Sequence, residues 1–356
     1  MTIDTLVLGQ DLTFDRSKII AIHTSDRATF KQCRRKWDWS SPTRRNLRPL
    51  GGISFPLWFG TGMHKALEEY RHPGLQRDPV EAFYTWYYDE LSRMDTTIVE
   101  LNSQELLDHL EMGVSMLTHY RDEVTDQYEV LYTEQAFAIP LGFQVDGKEV
   151  TYCGRMDAIV RDRETGDYGI IDYKTTSNMD DLFSRLDLDE QATSYLYVGT
   201  QLVDLPLSFI VYVGLLKGTI REPTITSRGV PSLDRTKEYT TPELFMECVV
   251  HNELEEWYAN SEPAQLYYEF LTERKFVEYK VVRRNATQLQ NAFQRIVAEA
   301  KEMTDPSLVL YPNPSGNYSC LKCPFRAPCL AMEDGSDYEF MLTNNYRTNM
   351  VDGRYT

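Results

Sequence analysis

The sequence predicts an α/β chain with a mixed central sheet, a helical N-terminal part and further helices behind the sheet. Three observations predict it. The first third repeats apolar residues at three- and four-residue spacing, the period of an amphipathic helix. From 129 to 175 that period gives way to β-branched and aromatic runs separated by turn residues. Between 129 and 216 the order strand, strand, strand, helix, strand then describes an α/β core decorated at both ends by helices.

In chain order, 24–38 reads as a short helix capped by Thr24 or Ser25. Residues 63–71 follow Gly60-Thr61-Gly62 and are helical, as are 79–93 and 103–124. Strands are expected at 129–138, at 143–145 before an Asp146-Gly147 turn, at 149–160 and at 167–175, forming a meander. A helix over 180–201 and a buried strand over 207–216 follow, and helices at 242–259 and 286–303 bracket a strand at 276–282. A single domain is expected over 1–330: a helical part at about 20–125, a core at about 126–220, and C-terminal helices with a cysteine-rich knuckle at about 240–330. Residues 331–356 read as a polar tail.

A chain of 356 residues can bury a sizeable core, and no run approaches the ~18 apolar residues of a membrane span. The first ten residues carry no basic segment ahead of an apolar one, so a soluble, cytoplasmic chain without membrane contact is expected. The net charge of −17 argues against a nucleic-acid partner, but its distribution argues the other way. Eight cations (Arg27, Lys31, Arg34, Arg35, Lys36, Arg44, Arg45, Arg48) stand against Asp38 alone, and a second cluster holds Arg274, Lys275, Lys280, Arg283 and Arg284. Phe30, Trp37 and Trp39 interleave the first cluster, the composition expected where bases stack and phosphates are neutralised. An amphipathic helix with a solvated basic face is the alternative.

The chemistry concentrates in Gly154-Arg155-Met156-Asp157 and, fifteen residues after Asp157, in Asp172-Tyr173-Lys174. Side chains alternate along a strand, so Asp172 and Lys174 share a face. A turn over 161–167 folds the two segments together as a hairpin, and both carboxylates meet across the pair. A D-x-K triplet is often only a solvated ion pair. Here it follows the apolar Ile170-Ile171, where an uncompensated charge is costly and a bound cation resolves the cost. Gln191 and Tyr195, four apart, lie on one face of the next helix. His64 is a further candidate, because imidazole suits manganese better than it suits magnesium.

Cys320-x2-Cys323-x5-Cys329 places three thiols in ten residues among prolines. Cys33 is the natural fourth ligand, and Cys153 and Cys248 read as ordinary buried cysteines. Four thiolates with almost 290 residues between the first and second fit an iron–sulfur cluster better than a zinc finger, with zinc as the alternative.

Taken together, these residues resemble the RecB-like nucleases of the PD-(D/E)XK, restriction-endonuclease-like superfamily. The branch they resemble carries a four-cysteine cluster and includes AddB-type nuclease domains and CRISPR-associated adaptation exonucleases. The resemblance runs from Ser25-x4-Phe30-x2-Cys33-x3-Trp37 through Gly62-x-His64, Gly154-Arg155-Met156-Asp157, Asp172-Tyr173-Lys174-Thr175 and Gln191-x3-Tyr195 to the last three cysteines. It implies a DNA exonuclease that hydrolyses phosphodiester bonds of single-stranded or end-processed DNA in recombination, repair or phage DNA metabolism. His64, Asp157 and Asp172 would bind Mg2+ or Mn2+, Lys174 would assist the attacking water, and Gln191 and Tyr195 would support the site. Cys33, Cys320, Cys323 and Cys329 would hold a 4Fe-4S cluster. Two departures stand out: the chain has no G-x4-G-K-[ST] helicase loop, and it is strongly acidic. They imply a stand-alone nuclease or a subunit leaning on a helicase or recombination partner. A non-catalytic binding subunit with a structural cluster and an RNA-directed hydrolase are the other readings.

Overall fold

The computed structural model describes residues 7–9, 17–50, 53–202, 205–313 and 320–348. Its strands are β1 (Val7–Gly9), β2 (Ile19–His23), β3 (Leu47–Pro49), β4 (Tyr128–Val145), β5 (Lys148–Asp162), β6 (Tyr168–Thr176), β7 (Leu207–Leu216), β8 (Val277–Val282) and β9 (Tyr346–Thr348). Helices α1 (Thr24–Gln32), α2 (Arg34–Ser40), α3 (Phe55–Arg71), α4 (Pro79–Arg93), α5 (Thr96–Leu101) and α6 (Ser103–Glu123) make up the first third. After β6 come α7 (Met179–Phe183), α8 (Glu190–Leu202), α9 (Pro242–His251), α10 (Glu255–Asn260), α11 (Glu262–Glu273), α12 (Ala286–Met303), α13 (Arg326–Asp334) and α14 (Tyr338–Asn345).

Seven strands form one mixed sheet. The meander β4–β5–β6 is antiparallel, β7 joins β6 in parallel after the α7–α8 crossover, and β8 and β1 pair antiparallel at β7 and β4. The β4–β5 hairpin turns at Asp146 (φ 51°) and Gly147 (φ 75°), the two left-handed residues that a tight turn between right-twisting strands requires. β4 follows β5 along nearly its whole length, so the opposite edge of β5 is left for two shorter partners. β2 takes 149–153 in parallel and β6 takes 158–161 antiparallel. Residues 154–157 stand at the gap between them.

Alternation along the strands divides the core into two faces. Ile170, Ile210 and Tyr212 join Leu196 of α8 and Ile296 of α12 on one face, while Ile171, Val211 and Val213 join Phe59, Phe83 and Leu117 of α3, α4 and α6 on the other. Among the described residues no helix is long and apolar enough to cross a membrane.

Several elements differ from the sequence expectation. The helix over 24–38 is two helices, because Cys33 is extended (φ −163°) and its sulfur accepts the N–H of Lys36. Its N-cap is His23, since β2 runs straight into it. α3 starts at Phe55 and absorbs Gly62, where a Cβ would meet the Trp86 ring at 2.2 Å. The expected polar tail contains α14 and β9: β9 pairs with β3, Leu342 is buried, and Tyr346 stacks on Phe325 at 5.1 Å. The tail beyond 348 lies outside the described residues.

The first basic cluster is internal. Arg27, 2% exposed, meets Glu299 at 2.6 Å and Glu190 at 3.5 Å, and Lys31 pairs with the same two acids. Arg34 pairs with Glu302, Arg35 with Glu333 (2.7 Å), Arg44 with Asp38 and Arg45 with Glu339 (each 2.6 Å). Six of the eight cations thus clamp α1 and α2 to α8, α12, α13 and α14 or to their own turn. Phe30, Trp37 and Trp39 are at most 4% exposed, so the rings expected to stack on bases are core instead. Replacing Arg27 by Ala leaves Glu190 and Glu299 with Lys31 as their one shared cation, and we expect a loss of about 1–3 kcal/mol, moderated by Lys31 and by solvent at Glu190. The urea midpoint of Arg27→Ala measures it, and an unchanged midpoint would contradict the clamp.

Candidate active site

The sheet opens at the site. Registered pairing of β5 with β6 ends at Ala158↔Ile171, and β6 continues against β7 with Asp172 beside Tyr212 and Lys174 beside Gly214. In place of a strand carbonyl, Asp157 Oδ2 accepts the N–H of Tyr173 at 2.8 Å. Gly154 lets Phe137 lie against the same strand, since a Cβ there would be 2.5 Å from the ring. Phe137 packs edge-on against Tyr195 at 5.5 Å.

On one side of Asp157 stands His64, delivered by α3, with Nδ1 at 3.3 Å from Asp157 Oδ2. On the other stands Glu134 of β4. Thr133 and Gln135 register with Ala158 and Met156, which sets Glu134 opposite Asp157. One ligand atom from each of His64, Glu134 and Asp157 can be chosen so that all lie within 4.8 Å of one another. Glu134 has φ +49°, a left-handed conformation that costs a residue with a Cβ about a kcal/mol or more. Sequence reasoning missed Glu134. Its only signal was a carboxylate set just before the apolar run 136–141, and the kink that aims it is not written in residue types.

Asp172, 1% exposed, holds the other half. Lys174 Nζ lies 2.5 Å from its Oδ2, and Gln191 Nε2 donates to its Oδ1 at 3.0 Å. Both Asp172 oxygens thus face a donor-bearing side chain, and the carboxylate is buried between the ammonium and the amide. The buried Tyr195 lies beside Gln191, so the pair expected on one helix face stands together behind Asp172. α8 is anchored by Asp189, whose Oδ1 accepts from Ala192 N and from Tyr212 Oη, each at 2.7 Å. A second chain runs from Thr24 through Tyr152 (2.6 Å) and Ser194 (2.9 Å) to the Gln191 carbonyl (3.0 Å), fastening α1 to α8.

Charges are crowded here and they shift one another. Burial pushes Asp172 up to about 6 against the pull of Lys174, with Asp157 adding to the rise. Burial and the Asp157 charge lift Glu134 to about 7. For His64, burial works downward but Asp157 overrides it, and the imidazole rises to about 9. Burial likewise opposes the charge on Lys174, and Asp172 with Asp157 more than restores it, so the ammonium titrates above its ordinary range. Asp157 is held below the usual carboxylate range because His64 and Lys174 outweigh its burial. Glu134 and Asp157 with the His64 imidazole, beside the Asp172–Lys174 pair, are an oxygen-rich donor set that fits a divalent cation.

The thiols gather at a separate place. Cys323 feels the charges of Cys33 and Cys320, and Arg35 Nη1 donates to Cys329 Sγ at 3.4 Å. All four are free thiols, and Cys323 and Cys329 pack against a small core of Trp39, Phe325 and Leu342. Cys153 is buried in β5 and Cys248 in α9.

Comparison with known proteins agrees with this geometry. The family model described as PD-(D/E)XK nuclease superfamily matches residues 24–330, which takes in five of the seven sheet strands (β4 to β8), both sides of the notch and all four of these cysteines. No curated protein matches the chain. Members of that superfamily are generally nucleases and usually work with Mg2+ or a similar divalent metal. With the match extending over most of its length, the chain belongs to the PD-(D/E)XK nuclease superfamily.

Proposed function

We propose that this protein is a metal-dependent DNA exonuclease of the RecB-like, iron–sulfur branch, acting on single-stranded or end-processed DNA in recombination, repair or phage DNA metabolism. The observation that carries the reading is the meeting of His64, Glu134 and Asp157 within 4.8 Å, beside the Asp172–Lys174 pair. His64, Asp157 and Asp172 would hold Mg2+ or Mn2+, joined by Glu134. The ion would polarise the scissile phosphate and acidify a water. Gln191 and Tyr195 keep the Asp172 carboxylate turned toward the notch. Lys174, an ammonium beside Asp172, donates to the attacking water and to the phosphate oxygen that gains charge as the water oxygen bonds to phosphorus. The attacking water gives its proton to solvent, the bond from phosphorus to the leaving sugar oxygen breaks, and that oxygen takes up a proton from solvent.

The thiols fit a 4Fe-4S cluster held by Cys33, Cys320, Cys323 and Cys329, because N–H donors from Lys36 and Arg35 already point at two of the sulfurs. Such a cluster would tie α1 and α2 to the C-terminal knuckle. A second reading, a partner-dependent nucleic-acid-binding subunit, draws support from the internal neutralisation of the first basic cluster. A helicase or recombination partner would then supply the grip on DNA. We place the protein in the cytoplasm.

Lys174→Ala is expected to lower the manganese- or magnesium-dependent rate on end-labelled DNA about a hundredfold or more, with the fold intact. Near-normal turnover would remove Lys174 from the chemistry. Stability in chelator should also track pH. Asp172, Glu134 and His64 each titrate higher in the folded protein than their ordinary 3.8, 4.5 and 6.5, so each binds its proton more tightly when folded. Their contributions therefore fall as pH rises through windows ending at about 6, 7 and 9. Urea midpoints in chelator should decline across that range, Glu134→Gln should flatten the middle of it, and manganese should restore the loss. A midpoint that rises from pH 5 to pH 9 would contradict the crowding of these groups. For the thiols, anaerobically purified protein should be brown and contain iron, and Cys33→Ser should bleach it. Iron retained in Cys33→Ser but lost in Cys248→Ser would overturn the ligand set.

A further inference from the structure

The arginines of α1 and α2 are cancelled by carboxylates; two others are not. Arg284, just ahead of α12, makes three hydrogen bonds, and every acceptor is neutral: Thr193 Oγ1 at 3.0 Å, the Arg283 carbonyl at 3.1 Å and the Leu186 carbonyl. Among the described residues no carboxylate accepts from its guanidinium. Arg295, on α12, is exposed and forms no ion pair among the described residues. The acid whose charge it feels, Glu190, is already held by Lys31 and Arg27.

Both arginines line an open groove of about 620 Å3 between the start of α8 and α12. Its other walls carry the Thr193 hydroxyl and the amides of Gln288, Asn291 and Gln294, against one carboxylate, Asp187. In a chain with 54 acids and 37 bases that composition is unusual. Guanidinium and amide groups are donors that proteins offer to phosphate oxygens, and here they outnumber the one carboxylate. The groove shares helix α8 with the site: Thr193, gripped by Arg284, and Gln191, whose side chain holds Asp172, both belong to its first turns.

We propose that the groove between α8 and α12 is a backbone subsite for the nucleic-acid strand, holding phosphates beside those presented at Asp172. This rests on the nuclease reading and adds to it where the strand lies. It also assigns the second basic cluster a divided role. Arg284 serves the strand, whereas Arg274 is turned inward over Tyr239, Phe270 and Phe276.

The experiment titrates a fluorescein-labelled single-stranded oligothymidylate by anisotropy, in chelator, at several salt concentrations. Wild type is compared with Arg295→Glu, Arg284→Gln and a remote charge reversal, Arg93→Glu on α4, and thermal melting reports whether each is folded. Arg295→Glu is expected to weaken binding about tenfold, and Arg295→Glu and Arg284→Gln each to reduce the slope of log K against log salt by about 0.7 per lost phosphate contact, with Arg93→Glu leaving both unchanged. KM for cleavage with manganese should rise in parallel. Arg295→Glu, exposed and unpaired, keeps the test decisive if Arg284→Gln fails to fold. Wild-type affinity and slope in Arg295→Glu would overturn the subsite, as would equal weakening by Arg93→Glu, which would mean that net charge alone is sensed. Wild type that binds the strand through these arginines but never cuts it would overturn the nuclease reading and leave the subsite standing. Wild type that neither binds nor cuts would overturn both.

Discussion

Everything at the notch follows from one constraint on backbone hydrogen bonding: a strand of fifteen residues, β5, has its far edge divided between two partners that do not meet. Buried strand edges must find donors and acceptors somewhere. At the gap the chain meets that demand with a side chain, and the Asp157 carboxylate takes the N–H of Tyr173. A carboxylate used in this way is fixed in direction and kept anionic, which is the state in which it can serve as a ligand. The kink that brings Glu134 opposite, and the continuation of β6 along β7 with Asp172 and Lys174, complete a polar pocket in the middle of an apolar sheet.

A second constraint is electrostatic. The protein carries a large acidic excess, yet its first helices are basic, and the two facts explain one another. Acids from α8, α12, α13 and α14 converge on α1 and α2, so the net charge conceals a set of specific pairs. Isolated surface pairs contribute little, whereas a buried cation between two acids is costly to disturb. Through Glu190 the clamp reaches the first turn of α8, and through Gln191 that turn reaches Asp172.

Much of the architecture was legible from local pattern. Periodicity located 79–93, 207–216 and 286–303 to the residue, and the hairpin turn at Asp146-Gly147 was readable from its residue types. Alternation placed Asp172 and Lys174 together, and helical spacing joined Gln191 to Tyr195. What escaped depends on partners distant in sequence. β2 and β9 are short, and their pairing with β5 and β3 exists only in the folded chain. The basic cluster looked like a nucleic-acid surface because its acids lie some 160 to 300 residues away. Glu134 escaped because a left-handed kink, not composition, turns it toward Asp157.

The pairing of the first fifty residues with the last sixty has a consequence for synthesis. α1 and α2 need Glu299, Glu302 and Glu333, and β3 needs β9, at residues 346–348. A ribosome delivers these partners last. Until then Phe30, Trp37 and Trp39 have no finished core to enter, and the nascent chain presents an apolar N-terminal segment for nearly the whole time of its manufacture. Folding of this protein therefore closes like a clasp, with the terminal segments joining only after the sheet between them is built.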